Sequence, residues 1–261
     1  MLKARVITAL FLVAGFLAVL FLLPGPGATA VFALVAVLGA WEWAGLMQAG
    51  RLGRGVFAAV VAFSCLLAWL RPEVAFPLLW GLAALFWLAV MPFWLARGWR
   101  PGPVGYAVGW LLLVPTWAAL AGLHARGPIL LLAVMALVWV ADIAAYFSGR
   151  ACGRHKLAPT ISPGKTWEGV AGAVIGVLVY GIAVAGALPA LRGLAVLPLA
   201  AFLLLLTAFS IIGDLFESMI KRQAGVKDSS QLLPGHGGIL DRIDSQTSTL
   251  PLVALTLHLL G

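Results

Sequence analysis

The stretch Ile129–Phe147, ILLLAVMALVWVADIAAYF, holds a single charged residue, Asp142, among nineteen. As a helix it would rise about 28 Å, close to the roughly 30 Å hydrocarbon core of a bilayer. Similar runs lie on both sides: Val6–Leu23, Ala28–Met47, Val56–Leu70, Val74–Leu95 and Val104–Leu123 before it, and Val170–Leu188, Leu194–Phe216 and Ile239–Leu260 after it. The pattern predicts an all-α, polytopic integral membrane bundle of about nine transmembrane helices. Pro77, Pro92, Pro115 and Pro251 are expected to kink or end helices.

Composition agrees. The 261 residues are 63% hydrophobic and 10% charged, and the mean hydropathy is +1.07; soluble domains carry roughly 25% charge. The net charge is +8, but the basic residues fall in short gaps between apolar runs rather than in one stripe, which argues against a nucleic-acid partner. Cys65 and Cys152 are too far apart in sequence and context for a disulfide framework or a zinc motif. MLKAR, an apolar run and Ala28-Thr29-Ala30 imitate a secretory signal, yet Val6–Leu23 exceeds the roughly 7–15 residues of a signal core. It reads as a retained first helix.

Sorting basic residues by side gives orientation. With a cytosolic N-terminus, that side receives Lys3, Arg5, Arg51, Arg54, Arg97, Arg100, Arg150, Arg154, Lys156, Lys165, Lys221, Arg222, Lys227 and Arg242, and the other only Arg71, Arg126 and Arg192. The odd number of spans puts the C-terminus outside. Both long polar loops, Gly149–Glu168 and Glu217–Gly238, then face the cytosol, where nucleotides are. Polarity in the first five runs is confined to loops apart from Glu42. Residues 1–127 therefore read as a scaffold, with lipid-facing or oligomer-forming surface, and 128–261 as the catalytic region.

A charge in an apolar run is a functional candidate because it costs several kcal/mol unless paired or solvated. Asp142 shares a helical face with Tyr146 and Gly149, and a structural hydrogen-bonding role is the plain alternative. In GDLFESMIKR, Asp214, Glu217, Ser218 and Lys221 recur at helical spacing. An amphipathic interfacial helix would explain Glu217 and Lys221, whereas Asp214, at the membrane boundary, fits a cation ligand better. In GHGGILDRIDS, Asp241, Asp244, Ser245 and Ser248 again share a face, and Leu250–Leu260 is too short to span alone. The polar turns must then lie inside the membrane. Two carboxylates one turn apart suit a hard divalent cation such as magnesium, which takes oxygen ligands and shares them with phosphates; pairing of Asp241 with Arg242 or Arg222 is the alternative.

Two loops supply the complement. HKLAPTISPGKTWEG carries Ser162, Lys165 and Thr166, and KRQAGVKDSSQLLPGHGG carries Lys221, Arg222, Lys227 and His236 among glycines. Exposed amides and cations together make an anion cradle. Gly164-Lys165-Thr166 is not a P-loop, because Pro159 stands where that motif needs glycine and no strand is expected before it.

SMIKRQAGVKDSSQLLPGHGGILDRID, Ser218–Asp244, resembles the signature of the phosphatidate cytidylyltransferase family over all twenty-seven residues. The resemblance extends to ADIAAYFSGRACGRHKLAPTISPGKTWEG and GDLFES, with Gly164 where a second lysine is usual and Gln246 where an apolar residue is common. It implies transfer of CMP from CTP to phosphatidic acid, with magnesium as cofactor and room for a second, monovalent cation. The implied metal residues are Asp214 and Asp241, assisted by Asp244 and Asp142. Ser162, Lys165, Thr166, Ser218, Gly237 and Gly238 are expected to bind substrate, and Lys221, Arg222, Lys227, Asp228, His236 and Arg242 to serve the reacting phosphates. Partners are CTP, phosphatidic acid and membrane lipids, with a homodimer left open, and the implied location is the inner membrane with a cytosol-facing site. The rivals are another CTP-dependent lipid transferase or polyprenol kinase, and a cation-coupled transporter. No inverted repeat supports the transporter, and its acidic residues lie toward one leaflet.

Overall fold

The computed structural model describes residues 2–188 and 193–261, with side chains described from residue 8 of the first helix onward. The side chains of Lys3 and Arg5, and Arg192 altogether, lie outside the described residues. All nine apolar runs are helical: α1 (Leu2–Leu22), α2 (Gly25–Leu46), α3 (Arg51–Leu70), α4 (Pro72–Leu85) continued by α5 (Met91–Arg97), α6 (Gly105–Arg126), α7 (Pro128–Cys152), α8 (Trp167–Ala187), α9 (Val196–Gln223) and α10 (Leu240–Leu260). Among the described residues, seven segments are long and apolar enough to cross a membrane, the stretch Pro72–Arg97 counting as one. The apolar part of α1, Thr8–Leu22, is shorter, and α10 begins with polar turns. The chain is a helical, polytopic integral membrane protein.

The prolines act less strongly than expected. Pro77, Pro115 and Pro251 sit inside continuous helices, and only Pro92 coincides with a break, following the π-turn Phe86–Val90 between α4 and α5. A π-turn absorbs the misfit that proline, lacking an N–H, brings to a helical ladder.

Helices α7 and α8 pack at backbone distance. A Cβ on Gly172 would lie 3.0 Å from the Ala144 carbonyl oxygen and closer still to Ser148 Oγ, so only glycine lets the helices meet there. Helix α10 runs through the bundle, and its polar turns are shielded from lipid: Ser245, Gln246, Thr247, Ser248 and Thr249 are all buried. The hydroxyls of Thr247, Ser248 and Thr249 bond backbone carbonyls, Ser248 Oγ donating to Phe209 O at 2.7 Å and Thr249 Oγ1 to Ser245 O at 2.9 Å. Trp87 Nε1 donates to Thr247 O at 3.0 Å. A buried polar run is tolerated when each group finds a partner inside the protein.

Between α7 and α8 lies the exception to the all-α plan and a correction to the expectation of no strand. Strands β1 (Lys156–Ala158) and β2 (Ser162–Thr166) form an antiparallel hairpin pairing Lys156 with Thr166 and Ala158 with Ser162. Gly164, Lys165 and Thr166 belong to β2 itself, so the P-loop remains excluded, now because the triplet is extended rather than a phosphate-cradling loop. Thr166 ends the strand and caps α8, its Oγ1 accepting from Gly169 N at 3.1 Å.

Candidate active site

The hairpin folds over the ends of α7, α8 and α9 and closes one wall of a cleft of about 440 Å³. Asp142, Tyr146 and Arg150 line it from α7, Gly164, Lys165 and Thr166 from β2, and Asp214 from α9. Lys165 Nζ lies 2.6 Å from Asp214 Oδ2, both side chains about a quarter exposed. Ser218, one turn along α9, donates to Asp214 Oδ1 at 3.2 Å. Arg150 Nη1 donates to Tyr146 Oη at 2.8 Å, on the exposed side of α7.

A second, buried polar node adjoins the cleft. Lys221 Nζ lies 2.6 Å from Asp241 Oδ1 and 3.1 Å from Glu217 Oε1, with side-chain exposures of 10%, 5% and 6%. The Glu217 contact is an ion pair without hydrogen-bond geometry. Asp241 Oδ2 accepts from Ser229 N at 2.9 Å, Ser229 Oγ at 3.0 Å and Gly238 N at 2.8 Å. The interfacial-helix reading of Glu217 and Lys221 is thereby overturned, since both are buried, and the basic partner of Asp241 is Lys221 rather than Arg242 or Arg222.

Other expected residues disperse. Ser162 opens β2 but does not line the cleft. Arg222 reaches from the end of α9 toward the hairpin turn, its Nε 3.5 Å from Ile161 O and its Nη1 3.2 Å from Val226 O. Lys227, Asp228 and Arg242 are exposed. His236 is half-buried with an unpartnered Nδ1, and Gly237 adopts a positive φ of 79° next to it.

Among the described residues no three His, Cys, Asp or Glu side chains converge closely enough to be a ready metal cage. The donor chemistry nonetheless fits a hard cation at one place. Asp142, Asp214 and Asp244 lie within electrostatic reach of one another, and Lys165 currently supplies the positive charge that Asp214 faces. Asp241 fits less well, because both its oxygens are already engaged, by four donor atoms in all.

Two residues take part in ways that spacing did not assign. Glu42 is buried on α2 and accepts from Ser229 Oγ, Ser230 Oγ, Ile239 N and Leu240 N, and Glu217 joins the buried node. Glu42 carried a signal, as the one acid within the first five apolar runs, but nothing in sequence named its partners.

The fold and cleft define a membrane-embedded helical protein with a cleft lined by Lys165, Arg150, Asp142 and Asp214. Residues 3–260 match the family model described as "Cytidylyltransferase family". The chain is 45% identical over 274 residues to the phosphatidate cytidylyltransferase of Pseudomonas aeruginosa, covering all of this chain and 98% of that one. It is 38% identical over 289 residues to the protein of the same name from Haemophilus influenzae, covering 96% of each. A 159-residue stretch, 61% of this chain and 57% of the relative, is 45% identical to the Brucella suis phosphatidate cytidylyltransferase. The chain belongs to the cytidylyltransferase family.

Proposed function

We propose that this protein transfers CMP from CTP to phosphatidic acid, yielding CDP-diacylglycerol and pyrophosphate for phospholipid biosynthesis. The observation that carries the reading is the full-length similarity to two relatives named phosphatidate cytidylyltransferase. The cleft suits the chemistry. A phosphatidate oxygen bonds to the α-phosphorus of CTP, the bond from that phosphorus to the bridging oxygen breaks, and pyrophosphate leaves with the electron pair. The nucleophile is already anionic, so no Ser-His pair or activated thiol is required. What the reaction needs is placement of two polyanions and stabilisation of charge on the transferring and leaving groups.

Lys165 exchanges Asp214 for a phosphate oxygen when the nucleotide enters, and the Thr166-capped start of α8 fixes the strand that carries it. Arg150 and Tyr146, on the exposed side of α7, face the lipid substrate. The exposed Arg222, Lys227 and Arg242 add positive charge that draws in the triphosphate, and His236 serves the reacting phosphates. Asp214, Asp142 and Asp244 would hold magnesium, which neutralises phosphate oxygens and polarises the α-phosphoryl group when bound; a monovalent cation and a homodimer are further parts of this reading. Nine spans, α4 and α5 together forming one, cross the inner membrane, with the N-terminus and the cleft cytosolic and the C-terminus outside, a topology supported by the lopsided distribution of Lys and Arg.

The test uses protein purified in detergent with phosphatidic acid, magnesium and each of the four NTPs, scored for pyrophosphate release. Release with CTP and phosphatidic acid together is expected. Folded protein that releases none with CTP would sink the reading.

A further inference from the structure

Glu42 sits on α2, in the half of the chain whose core is mainly apolar, yet it is only 2% exposed and takes hydrogen bonds from the catalytic region. Its Oε1 accepts from Ser230 Oγ at 2.6 Å and Ile239 N at 3.0 Å, and its Oε2 from Ser229 Oγ at 3.0 Å and Leu240 N at 2.9 Å. Two of these donors are backbone amides at the start of α10, which would otherwise lack partners. A carboxylate remote in sequence thus caps the helix that carries Asp241, Arg242 and Asp244.

The link goes further than a cap. Ser229 Oγ lies 3.0 Å from Glu42 Oε2 and also 3.0 Å from Asp241 Oδ2. A hydroxyl has one proton, so it serves one carboxylate at a time while its oxygen stays pinned between the two. Ser229 N binds the same Asp241 oxygen, and the other Asp241 oxygen is aimed at Lys221 Nζ. The packing leaves no slack, since a Cβ on Gly238 would lie 2.5 Å from Glu42 Oε2 and closer to Ser229 Oγ.

We infer that Glu42 is a positioning residue for the reaction, acting through Ser229 to hold Asp241 and Lys221 in register beside the cleft. The amino-terminal half then sets catalytic geometry in addition to forming a scaffold. The inference rests on the proposed reaction for its kinetic test only. Glutamine at this position would present an NH2 group to donors on one side, conserving volume while breaking half of the cradle.

Four full-length proteins decide it: wild type, Glu42→Gln, Ser229→Ala and the double variant. Each is measured for thermal unfolding, for kcat per folded molecule, for KM of both substrates and for the rate of trypsin cleavage after the exposed Lys227. Glu42→Gln is expected to lower kcat about tenfold or more with both KM values within about twofold of wild type. The double variant should be no worse than about twofold below the poorer single, because the two residues act along one path. Cleavage after Lys227 should quicken about fivefold or more in Glu42→Gln as the loop loses its anchor. A wild-type kcat per folded molecule in Glu42→Gln, or losses that multiply in the double variant, would overturn the inference. Should Glu42→Gln not fold, Ser229→Ala decides alone, since it leaves the amide contacts of Glu42 intact; an unchanged kcat there rejects the path. If wild type makes no product, the proposed reaction fails and the trypsin comparison decides the inference by itself, an unchanged rate rejecting it.

Discussion

Two lysines of this protein face carboxylates at the same distance, 2.6 Å, in opposite surroundings. Lys165 and Asp214 lie in the cleft, about a quarter exposed, with room around them. Lys221, Asp241 and Glu217 are almost sealed. An ion pair in contact with water gains little net stability and exchanges partners readily. A desolvated pair becomes costly once one member is removed. The open pair is therefore free to give up its partner to a phosphate, and the sealed one holds α9, α10 and the signature loop together.

The largest effect that could break this contrast is in the sealed node. Lys221→Met leaves two buried carboxylates without their cation and should destabilise the protein by roughly 3–5 kcal/mol, read as a lower midpoint in detergent unfolding. Unaltered stability would mean that water reaches the node. Asp214→Asn, in the open pair, should keep the fold but lower turnover on the order of 100-fold, as expected when a carboxylate needed for charge stabilisation is neutralised. Lys165→Ala should cost about tenfold in kcat/KM, near 1.4 kcal/mol, while unfolding shifts little. An unchanged rate would reduce that lysine to an orientation signal. Smallest is Thr166→Ala, which removes the α8 cap and should cost about 1 kcal/mol of stability, with activity falling only as far as β2 loosens.

How far the sequence reached follows from what periodicity encodes. Lone charges in apolar runs flagged Asp142, Asp214 and Asp241, because a charge in lipid needs a reason, and helical spacing put Asp241 with Asp244 on one face. Spacing reports faces and is silent on what each face meets. It therefore offered Arg242 or Arg222 as the partner of Asp241 where the fold supplies Lys221, and it offered Glu217 a place at the interface when tertiary packing buries it. The hairpin escaped because SPGKT has a turn-like composition and no alternation of apolar residues; tertiary contact with α8 and α9 holds it extended. Glu42 was visible as an anomaly, but its partners lie 187 to 198 residues away.

The claim that the open cleft is the nucleotide site can be tested without turnover. Gly164 lies on its rim, and a Cβ added there would meet nothing within 4 Å, so Gly164→Cys places a thiol at the cleft without strain. Exposed Cys152 is changed to Ser, and buried Cys65 stays. With CTP and magnesium at about ten times the Kd, maleimide labelling of that thiol in sealed, inside-out vesicles should slow about tenfold, with ATP giving no protection. Labelling that proceeds at the same rate with and without saturating CTP would contradict the assignment of the cleft.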